Sequence, residues 1–155
     1  MKTTWALVAD EAIARILEKP RGADLAPVEE LTDPDAHARE GEMHKGPHGR
    51  RAVGGNGGMP QATVSAGDSE RHQHAQLFAA RIAQRLVELR REGRYDALHL
   101  VAAPRLLGYL RKALHDEVNA TVVSTLDKNL VQESNADLTR RLFPLQPRAE
   151  TPGRG

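Results

Sequence analysis

Ala97-Leu98-His99-Leu100-Val101-Ala102-Ala103, followed at once by Pro104, is the stretch whose reading decides the fold. A continuous apolar run of this length has no polar alternate face, so it reads as a strand buried on both sides, the pattern of a parallel sheet. Pro104 then belongs at the first position of a helix, where its missing N–H leaves no hydrogen bond unmade. Leu106, Leu107, Leu110 and Leu114 line the inner face of that helix. A buried strand running into an amphipathic helix is the repeating unit of an α/β domain.

Upstream, Phe78, Ile82, Leu86 and Leu89 recur at spacings of three and four, the stripe of one helical face. Asp68 or Ser69 can cap this helix, Glu70 suits its first turn, and it runs to about Arg91, with Gly93 where a left-handed C-cap belongs. Downstream, Thr121 to Leu126 reads as another strand and Ala136 to Leu142 as a short final helix. At the other end of the chain, Trp5 to Ala9 is a short β-prone run. Asp10-Glu11 makes a tight turn, and Ala12 to Glu18 returns as the second arm of a hairpin. Leu25 to Leu31 reads as a third strand, which Pro27 confines to a sheet edge. The expected order is β-β-β-loop-α-β-α-β-α, a single α/β domain over 1–143 in which helices pack on a mixed sheet. The tail from 144 to 155 is rich in proline and glycine and reads as disordered.

Between the third strand and the long helix lies a glycine-rich stretch, Asp33 to Gly67, which reads as a flexible loop. Loops of this length are uncommon in compact domains unless they are functional or disordered. At its centre is Gly49-Arg50-Arg51-Ala52-Val53-Gly54-Gly55-Asn56-Gly57-Gly58-Met59-Pro60. Glycines allow the backbone to come close to a phosphate or a crowded RNA surface. The run lacks the Lys-Ser/Thr ending of a nucleotide-binding loop and the context of a dinucleotide fingerprint, so a nucleotide site does not fit.

The 155 residues carry a formal charge of +1, so nothing global calls for a nucleic-acid or membrane partner. Locally, Glu70 to Lys112 holds nine Lys/Arg against four acids, an excess of five positive charges that reads either as a solvated face or as an anion-attracting one. There is no cysteine, which excludes disulfides and thiol chemistry. The first residues are too short in apolar run to be a signal peptide, and no segment reads as a membrane span. The expected location is the cytoplasm.

Three possible sites of chemistry fall short of a motif. His37, His44, His48, His72 and His74 cluster around the loop and the helix start. His72 and His74 are two apart on a helix and face different ways, so the spacing favours polar loop and cap residues over a metal site. Asp10 and Asp127 each end an apolar strand, with Glu11 nearby, and could hold a divalent metal. The commoner role of such an aspartate is to close its own turn. His99 and His115 are isolated and read as structural. No catalytic residue, metal or cofactor is assigned.

As an ordered set, several of these pieces resemble the bacterial host attachment protein family. They are Trp5 to Ala12 with Ala14-Arg15-Ile16-Leu17, Val28-Glu29-Glu30-Leu31, the Gly-Arg-rich loop, Leu77-Phe78-Ala79, Leu100 to Gly108, and Leu126-Asp127-Lys128-Asn129-Leu130. That family in turn is similar to the middle domain of archaeal and eukaryotic peptide-chain release factors. The resemblance implies an RNase H-like fold in which a Gly-Gly-Gln loop precedes a long helix. Here Gly54-Gly55-Asn56 stands in that place, with Asn one methylene shorter than Gln, and Gln61 lies outside the motif. The function it implies is that of a non-enzymatic binding or regulatory module that touches the ribosome or RNA. Its expected contact residues are Arg50, Arg51, Gly54, Gly55, Asn56, Gly57, Gly58, Arg71 and His72. The alternatives are a hydrolase acting on peptidyl-tRNA or RNA, and an indirect factor in attachment to host cells.

Overall fold

A computed structural model describes residues 2–33 and 60–145, with side chains from 69 onward in the second stretch. Its elements are β1 (Thr4–Ala9), β2 (Ile13–Glu18), β3 (Ala26–Thr32), α1 (Pro60–Arg91), β4 (Ala97–Ala102), α2 (Pro104–Ala113), α3 (Asp116–Asn119), β5 (Val122–Leu126) and α4 (Asn135–Leu142). The five strands form one sheet in the order β3-β2-β1-β4-β5. β2 is antiparallel to both β1 and β3, whereas β1 pairs in parallel with β4, and β4 with β5. The sheet is therefore mixed, as the hairpin start and the later βαβ order require.

Asp10 closes the β1–β2 turn. Its Oδ1 accepts from the backbone N–H of Ala12 at 2.8 Å and of Ile13 at 3.0 Å, and its own N–H donates to the Ile13 carbonyl. β3 is an edge strand, as Pro27 demands, and Pro27 sits opposite Leu17 where the ladder shifts register. Gly93 has φ +74°, and the paired bonds Gly93 N–H to the Arg90 carbonyl and Arg94 N–H to the Leu89 carbonyl end α1 in a Schellman motif.

Two elements differ from the sequence reading. α1 starts at Pro60 rather than near Asp68, so 60–67 belongs to the helix instead of the loop, and 34–59 lie outside the described residues. The segment Gln61 to Gly67 shows no apolar stripe and contains a glycine, so periodicity is blind to it; proline at the first helical position was the available signal. With that start, His72 and His74 lie well inside α1 instead of in its first turns. α3 was missed because four residues are too few to show a period.

The sheet has two unequal faces. On one, Trp5, Leu7, Ile16, Leu98 and Leu100 pack against Phe78, Ile82 and Leu86 of α1 and Leu106 and Leu110 of α2. Trp5 stacks on Tyr95 with ring centroids 4.8 Å apart. On the other, among the described residues, Ala6, Val8, Leu17 and Val101 pack with Leu25, Leu130 and Leu138 and with the partly buried Leu126, Val131, Leu142 and Phe143. That thin second layer is anchored by polar bonds. Arg15 donates through Nη1 to the carbonyls of Val131 and Glu133, both at 2.9 Å, and through Nη2 to Asn135 Oδ1. Leu25 N–H donates to Thr139 Oγ1 at 2.8 Å.

Candidate functional site

Of the residues singled out from the sequence, Arg50, Arg51, Gly54, Gly55, Asn56, Gly57 and Gly58 lie outside the described residues, as do His37, His44 and His48. Arg71 and His72 are exposed on α1. His72 Nδ1 is hydrogen-bonded to the Tyr109 hydroxyl of α2, and the two rings meet edge to face at 6.1 Å. His74 is turned instead toward Glu70 of its own helix, Nε2 to Oε2 3.9 Å. The two histidines thus point to different neighbours, as their spacing requires.

The carboxylate pair is also separated in role. Asp10 is committed to its turn, and its second oxygen faces the Asn129 amide at 3.5 Å. Asp127 is exposed at the end of β5. Among the described residues no group of three His, Cys, Asp or Glu side chains is placed to hold a metal ion. His99 lies on the thinly covered face, with Nδ1 2.6 Å from Ser124 Oγ and its ring edge-on to Phe143 at 4.7 Å. Burial holds its pKa below the ordinary imidazole value.

The basic excess on the helices is largely neutralised inside the molecule. Arg85 grips Glu29 of β3 through Nε and Nη2 at 2.6 and 2.9 Å and also reaches Glu88. Those bonds hold the Glu29 carboxyl below its usual pKa. Arg81 donates to the Thr32 carbonyl, Arg90 to the Tyr95 carbonyl, and Arg91 to both oxygens of Glu117. Arg94 lies over the Trp5 ring and near Glu92. These arginines tie α1 and its C-terminal turn to the sheet and to α3. From Arg81 onward the cations of α1 have partners, which, of the two readings of the basic excess, fits the solvated face.

α2 is different. Its sequence, Pro104-Arg105-Leu106-Leu107-Gly108-Tyr109-Leu110-Arg111-Lys112-Ala113, contains no acid. Leu106, Leu107 and Leu110 are buried, which turns Arg105, Gly108, Arg111 and Lys112 outward, and all four are exposed. Arg105 has a loose partner, Glu11 Oε2 at 3.9 Å from its Nε. Among the described residues Arg111 and Lys112 have no ion-pair partner. The sequence signal for this face was the spacing of three cations about Gly108, which a count of charge over forty residues hides. A separate open cleft of about 350 Å³ lies between the β2–β3 edge and the start of α4, lined by Arg15, Pro27, Glu30 and Asn135 among others. Its arginine is already satisfied by backbone carbonyls and Asn135.

The structure is of the α/β class, a single mixed five-stranded sheet with helices packed against it. The chain matches the model of the family described as "Protein required for attachment to host cells" over residues 5–142, from β1 to the end of α4, and it belongs to that family. No curated protein matches it. No helix among the described residues is long and apolar enough to cross a membrane.

Proposed function

We propose that this member of the host attachment family is a cytoplasmic, non-enzymatic binding module that contacts the ribosome or RNA, and that it influences attachment indirectly. The observation that carries the reading is the placement of the glycine-rich run. Gly54 to Gly58 stands directly before α1, a 32-residue helix packed on a mixed sheet, the order expected of a release-factor middle domain with its RNase H-like fold. Backbone groups of such a run, with Arg50, Arg51, Arg71 and His72, suit phosphate contacts that position without reading sequence. The commitment of Asp10 to its turn weighs against the hydrolase alternative.

The test is cosedimentation with purified ribosomes across a salt series. The wild-type chain should pellet with ribosomes at low salt and be released as salt rises, and Arg50→Glu with Arg51→Glu should abolish the association. Equal cosedimentation of the double variant would sink the proposal.

A further inference from the structure

On a helix the surface neighbours of residue i are i−4, i−3, i+3 and i+4. Around Gly108 these are Pro104, Arg105, Arg111 and Lys112, so three of the four are cations. Gly108 has no side chain to fill the space between them, and a Cβ built on it would meet nothing within 4 Å. Its φ is not positive, so the backbone does not demand glycine there. Neither conformation nor packing explains a glycine inside this helix. What the missing side chain leaves is open helix surface, a notch in the side-chain layer flanked by three cations. The cations span Arg105 to Lys112, roughly 10 Å along the axis at 1.5 Å per residue.

We propose that this notch on the outer face of α2 seats phosphates of an RNA backbone. The proposal rests on the RNA-binding reading above and adds to it a second contact surface, separate from the glycine-rich segment. Arg105 and Arg111 supply planar donor forks suited to phosphate oxygens, and Lys112 supplies a point charge. Glu11, loosely paired with Arg105, competes with the incoming phosphate. An anionic membrane fits the charge but not the rest of the face. The exposed large apolar side chains among the described residues are Leu77, Val123 and Leu145, and none lies on α2 to enter a bilayer.

The experiment is fluorescence anisotropy of the full chain with a labelled 20-nucleotide poly(U) RNA over a salt series, beside cosedimentation with phosphatidylglycerol vesicles. Arg111→Gln with Lys112→Gln should weaken RNA binding at low salt and flatten the log–log salt dependence by about 1.4, two contacts at ~0.7 each. Gly108→Leu, which suits a helix better, should weaken binding while leaving the protein at least as resistant to heat. Glu11→Gln should tighten binding. Wild-type binding with an unchanged salt slope in the Arg111/Lys112 variant overturns the notch and leaves the wider RNA reading standing. No RNA or ribosome binding by the wild type overturns both, and binding to vesicles but not to RNA assigns the face to a membrane instead.

Discussion

Replacing Arg15 with Ala tests how the thin face of the sheet is held. The guanidinium bridges β2 to three positions more than a hundred residues away, two backbone carbonyls and the Asn135 side chain. Hydrogen bonds from a charged donor are worth about 1.5–3 kcal/mol each when measured singly. Three that share one half-exposed guanidinium do not add fully, because water can replace it at the vacated carbonyls. A total near 3 kcal/mol is the reasonable expectation, a large part of the ~5–15 kcal/mol that holds a domain of this size together. Besides apolar contacts, a second polar tie joins α4 to the strand side of the molecule, from Leu25 N–H to Thr139 Oγ1. Loss of Arg15 should therefore loosen α4 and the segment before it ahead of the rest. Leu130 and Leu138 would then uncover Ala6, Val8, Leu17 and Val101.

Two measurements check this. Urea denaturation followed by circular dichroism should show a stability loss of about 3 kcal/mol, or a melting temperature lower by roughly 10 °C at about 3–4 °C per kcal/mol. Hydrogen exchange should show the largest rise in residues 130–142 and little change in α1. Arg15→Lys should recover only part of the loss, since a single ammonium cannot reproduce the fork. A change below about 0.5 kcal/mol in Arg15→Ala, the range of an ordinary surface substitution, would refute the reasoning. So would an exchange increase spread evenly over the chain.

Burial lowers the His99 pKa, so the folded state resists its protonation. Stability should be full above the ordinary imidazole pKa of 6.5 and fall as pH drops below it, because the unfolded chain takes up the proton first; His99→Gln should flatten that part of a pH–stability curve, and an identical slope in the variant would exclude His99 as its source. Burial pushes the Tyr95 hydroxyl up to about 12, and it donates to the Leu86 carbonyl at 2.8 Å. Tyr95→Phe should cost about 1 kcal/mol at neutral pH and remove the decline in stability expected from pH 10 to 12, both readable by denaturant titration. Gly108→Ala and Gly93→Ala should move melting temperature in opposite directions. The first should gain up to about 1 kcal/mol in open helix interior, and the second should lose about 1 kcal/mol or more at φ +74°.

The strands and helices with strong local patterns were legible because the same residues that form them also bury them. Ala97–Ala102 shows this best: its apolar run could only be an interior strand, and it pairs on both sides, with β1 and β5. Pro27 fixed an edge and Gly93 a helix end through backbone rules that hold in any context. The start of α1 was not legible, because Ala62, Val64 and Ala66 recur at a spacing of two, which marks no helical face. Nor was the role of Arg15, since its partners are set by the tertiary path and no local spacing encodes them. Of the expected contact residues, Arg71 and His72 are on the surface where contact is possible. The histidine's bond to Tyr109 gives it a structural task as well, holding α1 against α2.

A charge count over sequence does not locate a basic surface, for a physical reason that bears on the candidate site. Five excess positive charges between Glu70 and Lys112 suggest one broad basic surface, but a charge summed over sequence ignores what each cation faces. Arg85, Arg90 and Arg91 face carboxylates or carbonyls on β3, the turn after α1, and α3, so their fields are largely cancelled within a few ångströms. On α2 the inward positions are leucines, which leaves every charged residue of the helix facing outward with no acid in the same ten residues to offset them. Among the described residues Arg111 and Lys112 of the short helix therefore lack an ion-pair partner, whereas Arg85, Arg90 and Arg91 of the long one have one. A phosphate backbone seated on α2, as proposed above, would meet Arg111 and Lys112 unpaired and Arg105 shared with Glu11.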